Sequence, residues 1–380
     1  MRFLKNKKIL ILSPQAWGEM RISKHHYALE LIKNENEVCF VNPPMPDLLK
    51  HEFRINEGVG ILSYPKPFFH RLKFHWYGLY WLMMSRYFDK VLRSIDFAPE
   101  VVLSFDLGGD FSLRHFKKCL KIFFPVDEPR SVISLNASGS ADIIFSVSRE
   151  ILNCYDQNKA PKIFINHGVK KMFLADLSAL DSELPESDRL RIGYSGNLLR
   201  PDIDCAVLFQ IVRENADVTF EFWGSYRSAK GNLGKGNGKS DEEELADFLT
   251  MQDNVILHGP VRPEELAKGL KAMDAFLICY DIQKDQSSGT NYHKVLEYLG
   301  TGKVIVSNNI STYSKSNLFR MCASRLDNSE LPALFRDTIT DLKLWNSPSK
   351  KVERIRFASD HTYSHQLAKI DDEISNRLFS

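Results

Sequence analysis

Short apolar runs, each followed by a polar turn and a helix-length stretch, recur along the whole chain, and this period leaves few folds open. Residues 8–13 (KILILS) read as a buried strand, and 23–34 as a helix carrying Tyr27, Leu29, Leu31 and Ile32. Residues 37–41 (EVCFV) follow as a second strand, stopped by Asn42-Pro43-Pro44. Strand, helix and strand at this spacing make a βαβ unit with a right-handed crossover. The pattern returns at 101–105, 121–125, 143–147 and 162–165, then again at 191–194, 218–223, 255–258, 275–280 and 304–307. Between the two series lies an acidic, proline-containing stretch without pattern, residues 178–190. The chain has 380 residues, and two α/β domains of about 170 residues each match that length. The expectation is two doubly wound sheet domains, 1–177 and 191–355, joined by the linker and followed by a closing helix or helix pair over 356–380. Functional loops belong at the carboxyl ends of the strands.

Composition narrows the function. Hydrophobic residues make up 43% and charged residues 26%, as in a foldable globular chain. The net charge is +2, from 50 basic and 48 acidic residues, which gives no bulk field for nucleic acid. Cys39, Cys119, Cys154, Cys205, Cys279 and Cys322 are widely spaced, in no pattern that suggests zinc or a disulfide framework. Neither a signal peptide nor an apolar run long enough to span a bilayer is evident. A cytoplasmic protein with reduced thiols is the simplest expectation.

Residues 279–308 hold the densest chemistry. An apolar strand runs into the small, polar Ser287-Ser288-Gly289-Thr290, then a helix is expected over about 292–300, then a second strand. Backbone N–H groups at a helix start attract an anion such as phosphate. Lys294 and Glu297, three apart, share one helix face. They read either as a surface ion pair or as a diphosphate and ribose site.

Two other stretches stand out. Residues 68–93, from Phe68 to Arg93, interleave Phe74, Trp76, Tyr77, Tyr80, Trp81 and Tyr87 with His70, Arg71, Lys73, Arg86 and Lys90. Such a helix suits an anionic membrane interface, or else a core position with a wet edge. Residues 228–240 (SAKGNLGKGNGKS) read as a mobile loop. Its Gly-Lys-Ser ending is not a P-loop, because Leu233 stands where that motif needs glycine and no strand precedes it.

The order of several motifs resembles that of nucleotide-sugar glycosyltransferases of the GT-B fold, the group like family 4 and the teichuronic-acid-type enzymes. In the first half these are Val38-Cys39-Phe40-Val41-Asn42-Pro43-Pro44, Ile122-Phe123-Phe124-Pro125-Val126-Asp127-Glu128, Ala141-Asp142-Ile143-Ile144-Phe145-Ser146-Val147-Ser148 and Asn166-His167-Gly168-Val169. In the second they are Gly193-Tyr194-Ser195-Gly196-Asn197-Leu198, Phe222-Trp223-Gly224 and Glu264-Glu265-Leu266. His293-Lys294-Val295-Leu296-Glu297-Tyr298-Leu299 with Gly302-Lys303-Val304-Ile305-Val306 is the strongest match. Two departures bear on the phosphate contacts. Gly289 stands where many relatives carry a glutamate, and the usual Arg/Lys pair after the first glycine loop is reduced to Arg200.

The resemblance implies two Rossmann-like domains facing a central cleft, the first for acceptor and the second for donor. It implies a hexosyltransferase-type enzyme moving sugar from a nucleotide-diphosphate donor to a polysaccharide or lipid-linked saccharide in surface-glycan synthesis. A nucleotide-sugar epimerase or hydrolase, or a non-catalytic scaffold on the same fold, remains open beside it. No cofactor or metal is implied. The diphosphate would be met by Gly196, Asn197, Arg200, Gly224, Ser288, Gly289, Thr290 and Lys294, the ribose by Glu297, and the base by Tyr280 and the residues around His258. Asp127, with Asp106 in reserve, is the candidate general base, although Asp127 also reads as opening a turn. His25 and His26 are candidates for acceptor contact. The partners are therefore a nucleotide sugar, a saccharide acceptor and an anionic membrane surface reached through residues 68–93.

Overall fold

The computed structural model describes residues 3–18, 21–179, 189–227, 241–285 and 287–378, with backbone only at 179, 241 and 242. Most of the expected linker, 180–188, and the glycine-lysine stretch 228–240 lie outside the described residues. Two compact units divide the chain: Met1–His167 with Tyr363–Ser380, and Gly168–Thr362.

Among the described residues the first unit holds eight strands: β1 Lys8–Leu12, β2 Glu37–Val41, β3 Glu52–Asn56, β4 Val59–Ser63, β5 Val101–Ser104, β6 Leu120–Phe123, β7 Ile143–Ser146 and β8 Lys162–Phe164. Their order is β3-β4-β2-β1-β5-β6-β7-β8. Neighbours run parallel except β3, which is antiparallel to β4. Ile9, Leu10, Ile11 and Leu12 of β1 are all buried, as a parallel strand covered on both faces requires. From β1 the sheet grows one way to β2 and the other way to β5. The loops after β1 and β5 therefore diverge, leaving a crevice site at their carboxyl ends.

Among the described residues the second unit has six parallel strands: β9 Leu190–Ser195, β10 Val218–Trp223, β11 Val255–Gly259, β12 Ala275–Ile278, β13 Val304–Ser307 and β14 Phe319–Met321. Their order, β11-β10-β9-β12-β13-β14, places the reversal between β9 and β12. The GT-B expectation of two doubly wound α/β sheets is met.

Two features were not anticipated. The β3–β4 hairpin turns at Glu57 and Gly58, both at positive φ (50° and 82°), and every residue of β3 is exposed. A short sixth strand, β14, closes the second sheet. The closing helix pair expected at the C-terminus is present as Pro348–Ser359 and Tyr363–Leu378, its first helix starting before residue 356; the first belongs to the second unit and the other to the first.

Helix Tyr363–Leu378 buries Leu367, Ile370 and Ile374 in the core of the first unit. Asp371 Oδ1 accepts from the Leu4 amide at 2.6 Å, and Gln366 Nε2 donates to the carbonyls of Asn166 and His167, both at 2.8 Å. Ile374→Ala should cost the first unit about 3 kcal/mol, the usual penalty for emptying a fully buried aliphatic site. Hydrogen exchange read by mass spectrometry should then rise across β1 and helix Ser23–Lys33 and stay unchanged in β9–β14. Uniform acceleration in both units would contradict the assignment.

Candidate functional site

The reversal point of the second sheet is built from glycines that let its loops close on one another. Gly196 follows β9 at φ 141° and Gly224 follows β10 at φ 128°, a region costly for any residue with a Cβ. The Gly196 amide donates to the Trp223 carbonyl and the Gly224 amide to the Gly259 carbonyl, both at 2.8 Å. A Cβ on Gly224 would overlap the Gly196 carbonyl. The parallel ladder thus continues past the strand ends.

Into this turn comes Lys294, the first residue of helix Lys294–Gly300. A Cβ on Gly196 would lie 2.6 Å from Lys294 Nζ. That ammonium donates to Tyr280 Oη at 2.7 Å and sits 3.8 Å from the centroid of the Tyr194 ring. Tyr194 and Tyr280 share a hydrogen bond of 2.8 Å. The sequence of the helix dictates this placement. Val295, Leu296, Tyr298 and Leu299 are buried, Tyr298 stacks on Phe276 at 4.0 Å, and Tyr298 Oη accepts from the Ser195 amide at 2.6 Å. Lys294 and Glu297 are left on the other face, partly covered. Burial lowers the Lys294 ammonium below its ordinary range, against the pull of Tyr280. Burial likewise raises the Glu297 carboxyl to about 7, resisted by Lys294 and Lys170. Both groups are therefore poised towards neutrality, unlike a solvated surface pair.

The other expected donor contacts are placed as follows. Arg200 lies over Tyr280 at 5.1 Å and forks onto Asp202, with Nε to Oδ1 at 2.7 Å; this partner raises its pKa. Asn197 is exposed, and its side-chain oxygen accepts from the Leu199 amide at 3.0 Å. Arg325, which sequence reasoning missed, donates to the carbonyls of Ser287 and Ser288, and Gly289 follows that clamp. The Thr290 amide is taken by Ser311 Oγ at 2.8 Å, while Thr290 Oγ1 accepts from the Ser311 amide at 2.9 Å. The helix begins later than expected, at Lys294, so Lys294 itself rather than a row of amides is the cation offered here. His258 bonds the buried Glu221 at 2.7 Å and stacks on Trp223 at 4.6 Å.

In the first unit the reversal point lies between β1 and β5. Asp106 is buried, and its oxygens accept from the Gly108 and Asp110 amides at 2.7 and 2.8 Å. Burial, then the nearby Asp110 charge, lifts its carboxyl to about 6. Asp110 in turn receives Lys73 at 2.6 Å and His70 at 3.3 Å, which docks residues of the basic-aromatic stretch onto the β5 loop. Asp106 thereby organises a turn, whereas Asp127 stands exposed beyond the end of β6. His25 is buried, with Nδ1 accepting from the Ile22 amide and Nε2 donating to the Ala16 carbonyl, both at 3.1 Å. It also stacks on Phe40. Both ring nitrogens are spent on backbone, so its place is that of a helix-start brace. His26 packs on Tyr363. Lys24, not singled out by the sequence, is buried close to both acids. Among the described residues no cluster of His, Cys, Asp and Glu side chains is arranged to hold a metal ion.

No protein-family model and no curated protein matches the sequence. Solved structures do. Anabaena HepE in complex with UDP and glucose superposes with a TM-score of 0.66 at 12% identity, covering 98% of this chain and 100% of that one. Sucrose-phosphate synthase from Thermosynechococcus elongatus gives 0.67 at 10% identity, covering 98% of each. A UDP-forming trehalose-phosphate synthase from Burkholderia xenovorans gives 0.68 at 9%, covering 98% and 100%. The chain has the GT-B fold.

In the second unit, the Glu297 carboxyl yields a prediction with a defined sign. Its folded pKa, about 7, lies above the unfolded value, so the folded state holds a proton the unfolded chain has already lost. Stability from this group is present at low pH and falls as pH rises through that window. Relative to wild type, Glu297→Gln should gain on the order of 2 kcal/mol between about pH 5 and about pH 8, read by urea unfolding. Asp106 shifts both proteins alike and cancels. A flat or opposite difference would mean that the carboxyl is solvated.

Proposed function

We propose that this chain is a glycosyltransferase that moves a sugar from a nucleotide-diphosphate donor to a saccharide acceptor, with donor in the second unit and acceptor in the first. The observation that carries the reading is the Lys294 ammonium, held by two tyrosines against the Gly196 turn at the reversal point, with Glu297 one helical turn along. As the anomeric bond breaks, the diphosphate leaving group gains negative charge, and a pre-placed cation in a dry site stabilises that change most. Burial weakens the hold of Lys294 on its proton, and an arriving phosphate offsets that effect and is held by the ammonium. Glu297, once ionised, accepts from ribose hydroxyls. Arg200, tethered by Asp202, extends the positive rim. No metal is needed in this scheme. HepE was solved with UDP and glucose, which supports a nucleoside diphosphate sugar as the donor class. On the acceptor side Asp127, exposed and not tied into a turn as Asp106 is, is the group available to take a hydroxyl proton.

The same reading places the enzyme at an anionic membrane surface, on surface-glycan acceptors. Helix Tyr77–Ser94 buries Tyr80, Met84, Phe88, Val91 and Leu92. Its other side and the preceding turn expose Phe68 (92%), Trp76 (66%), Phe74, Leu79 and Leu82, beside the exposed Arg71, His75 and Arg86. Apolar rings flanked by cations suit the headgroup boundary. Trp81 is partly buried and adds less to this face. No helix among the described residues is long and apolar enough to cross a membrane.

A thermal-shift and nucleotide-release screen of UDP-, GDP- and TDP-sugars tests the donor. At least one should raise the melting temperature by several degrees at saturation, and Lys294→Met should weaken that ligand about a hundredfold. If no donor stabilises the protein, the reading is wrong. Membrane association is measured separately by co-sedimentation with vesicles rich in anionic lipid. Binding should drop at high salt and in a Phe68→Ser, Trp76→Ser double variant; unchanged sedimentation of that variant removes the membrane from the account.

A further inference from the structure

The proposed chemistry leaves Lys24 without a task. Its side chain is 2% exposed, on the first turn of helix Ser23–Lys33, at the reversal point where open α/β sheets receive ligands. The ammonium donates to Gln15 Oε1 in the loop after β1 and lies 5.7 Å from the centroid of the Phe105 ring, just past β5. Asp127 and Asp106 act on it electrostatically, yet among the described residues neither forms an ion pair with it. Their positions explain this. Asp106 spends both oxygens on the amides of Gly108 and Asp110, Asp110 is occupied by Lys73, and Asp127 is out in solvent. A buried lysine is ordinarily matched by a carboxylate. Among the described residues its partner is a neutral amide oxygen, and no acceptor meets the other two ammonium protons. Burial brings the group to about 8, so the charge survives at neutral pH.

We propose that Lys24 is the receptor for an oxyanion carried by the saccharide that binds the first unit, so that the acceptor class is an acidic sugar, bearing either a carboxylate or a phosphate. The inference rests on reading that unit as the acceptor side. Gln15 holds the ammonium in place without cancelling its charge, and the field of Asp127 keeps it protonated. A neutral saccharide would leave the cation buried without a counter-charge, and the site selects against it for that reason.

Binding of glucuronate, glucose 6-phosphate and glucose to the full chain, by saturation-transfer NMR with and without the stabilising nucleotide, tests this. Wild type should prefer one charged sugar over glucose by about tenfold or more; which one it prefers separates carboxylate from phosphate. Lys24→Met, close in volume, should lose the preference, and Lys24→Arg should keep it. Equal binding of all three sugars by wild type overturns the proposal, as does a preference that persists in Lys24→Met. Should Lys24→Met fail to fold, the wild-type ranking and Lys24→Arg still decide: loss of the preference in folded Lys24→Arg counts against a simple cation site. Donor stabilisation is recorded on the same samples. Its absence overturns the glycosyl-transfer reading, whereas its presence without an anionic preference overturns the role of Lys24 alone.

Discussion

A lysine ammonium pressed onto a tyrosine ring, at the point where a parallel sheet reverses its direction, sets the terms for the second unit. Lys294 reaches that place only because Gly196 has no side chain, and Gly196 can turn there only because Gly224 also lacks one. The helix that carries Lys294 is too short to be stable alone. Stacking of Tyr298 on Phe276, and its hydrogen bond to the Ser195 amide, hold it instead. Remove any of these and the cation moves or meets water, and its value to a developing negative charge falls.

Much of this was legible in the residues. The apolar runs gave strands at nearly the observed bounds, because a parallel strand covered on both faces has no polar positions to blur it. The segment from His293 to Leu299 announced its buried and open faces through helical spacing, and Lys294 and Glu297 did come out on the open one. The hairpin of β3 and β4 escaped because β3 is exposed throughout; its signal was the Glu57-Gly58 turn, not an apolar run. The reach of helix Tyr363–Leu378 back to the first unit is a long-range pairing that local pattern does not encode. Similarly, the roles of Arg325, Asp106 and His25 depend on which backbone groups happen to lie opposite them. Spacing alone could not say that the two nitrogens of His25 would be consumed by Ile22 and Ala16.

The two units repeat one device with different residues. In each, a lysine on the first turn of a helix comes to the carboxyl ends of the strands beside the reversal point. Burial weakens each lysine's hold on its proton, and each is fixed by a neutral oxygen: Gln15 Oε1 for Lys24, Tyr280 Oη for Lys294. Nearby acids, Asp127 and Asp106 in one case and Glu297 in the other, influence the charge without closing an ion pair on it.

Neutral anchors matter because of what they leave undone. Had either lysine met a buried carboxylate at bonding distance, the charges would have cancelled, and a ligand anion would have had to displace a strong partner. A phenol or an amide oxygen orders the ammonium in space, which lowers the entropy still to be lost on binding, yet keeps its field directed at the crevice. The desolvation cost is met during folding, by the aromatic and aliphatic core around each site. On the proposed reading of these sites, an incoming anion finds a dehydrated, pre-aimed cation, and its binding draws the lysine towards full protonation. On that reading, coupling between anion and proton follows at both reversal points from the same physical choice of partner.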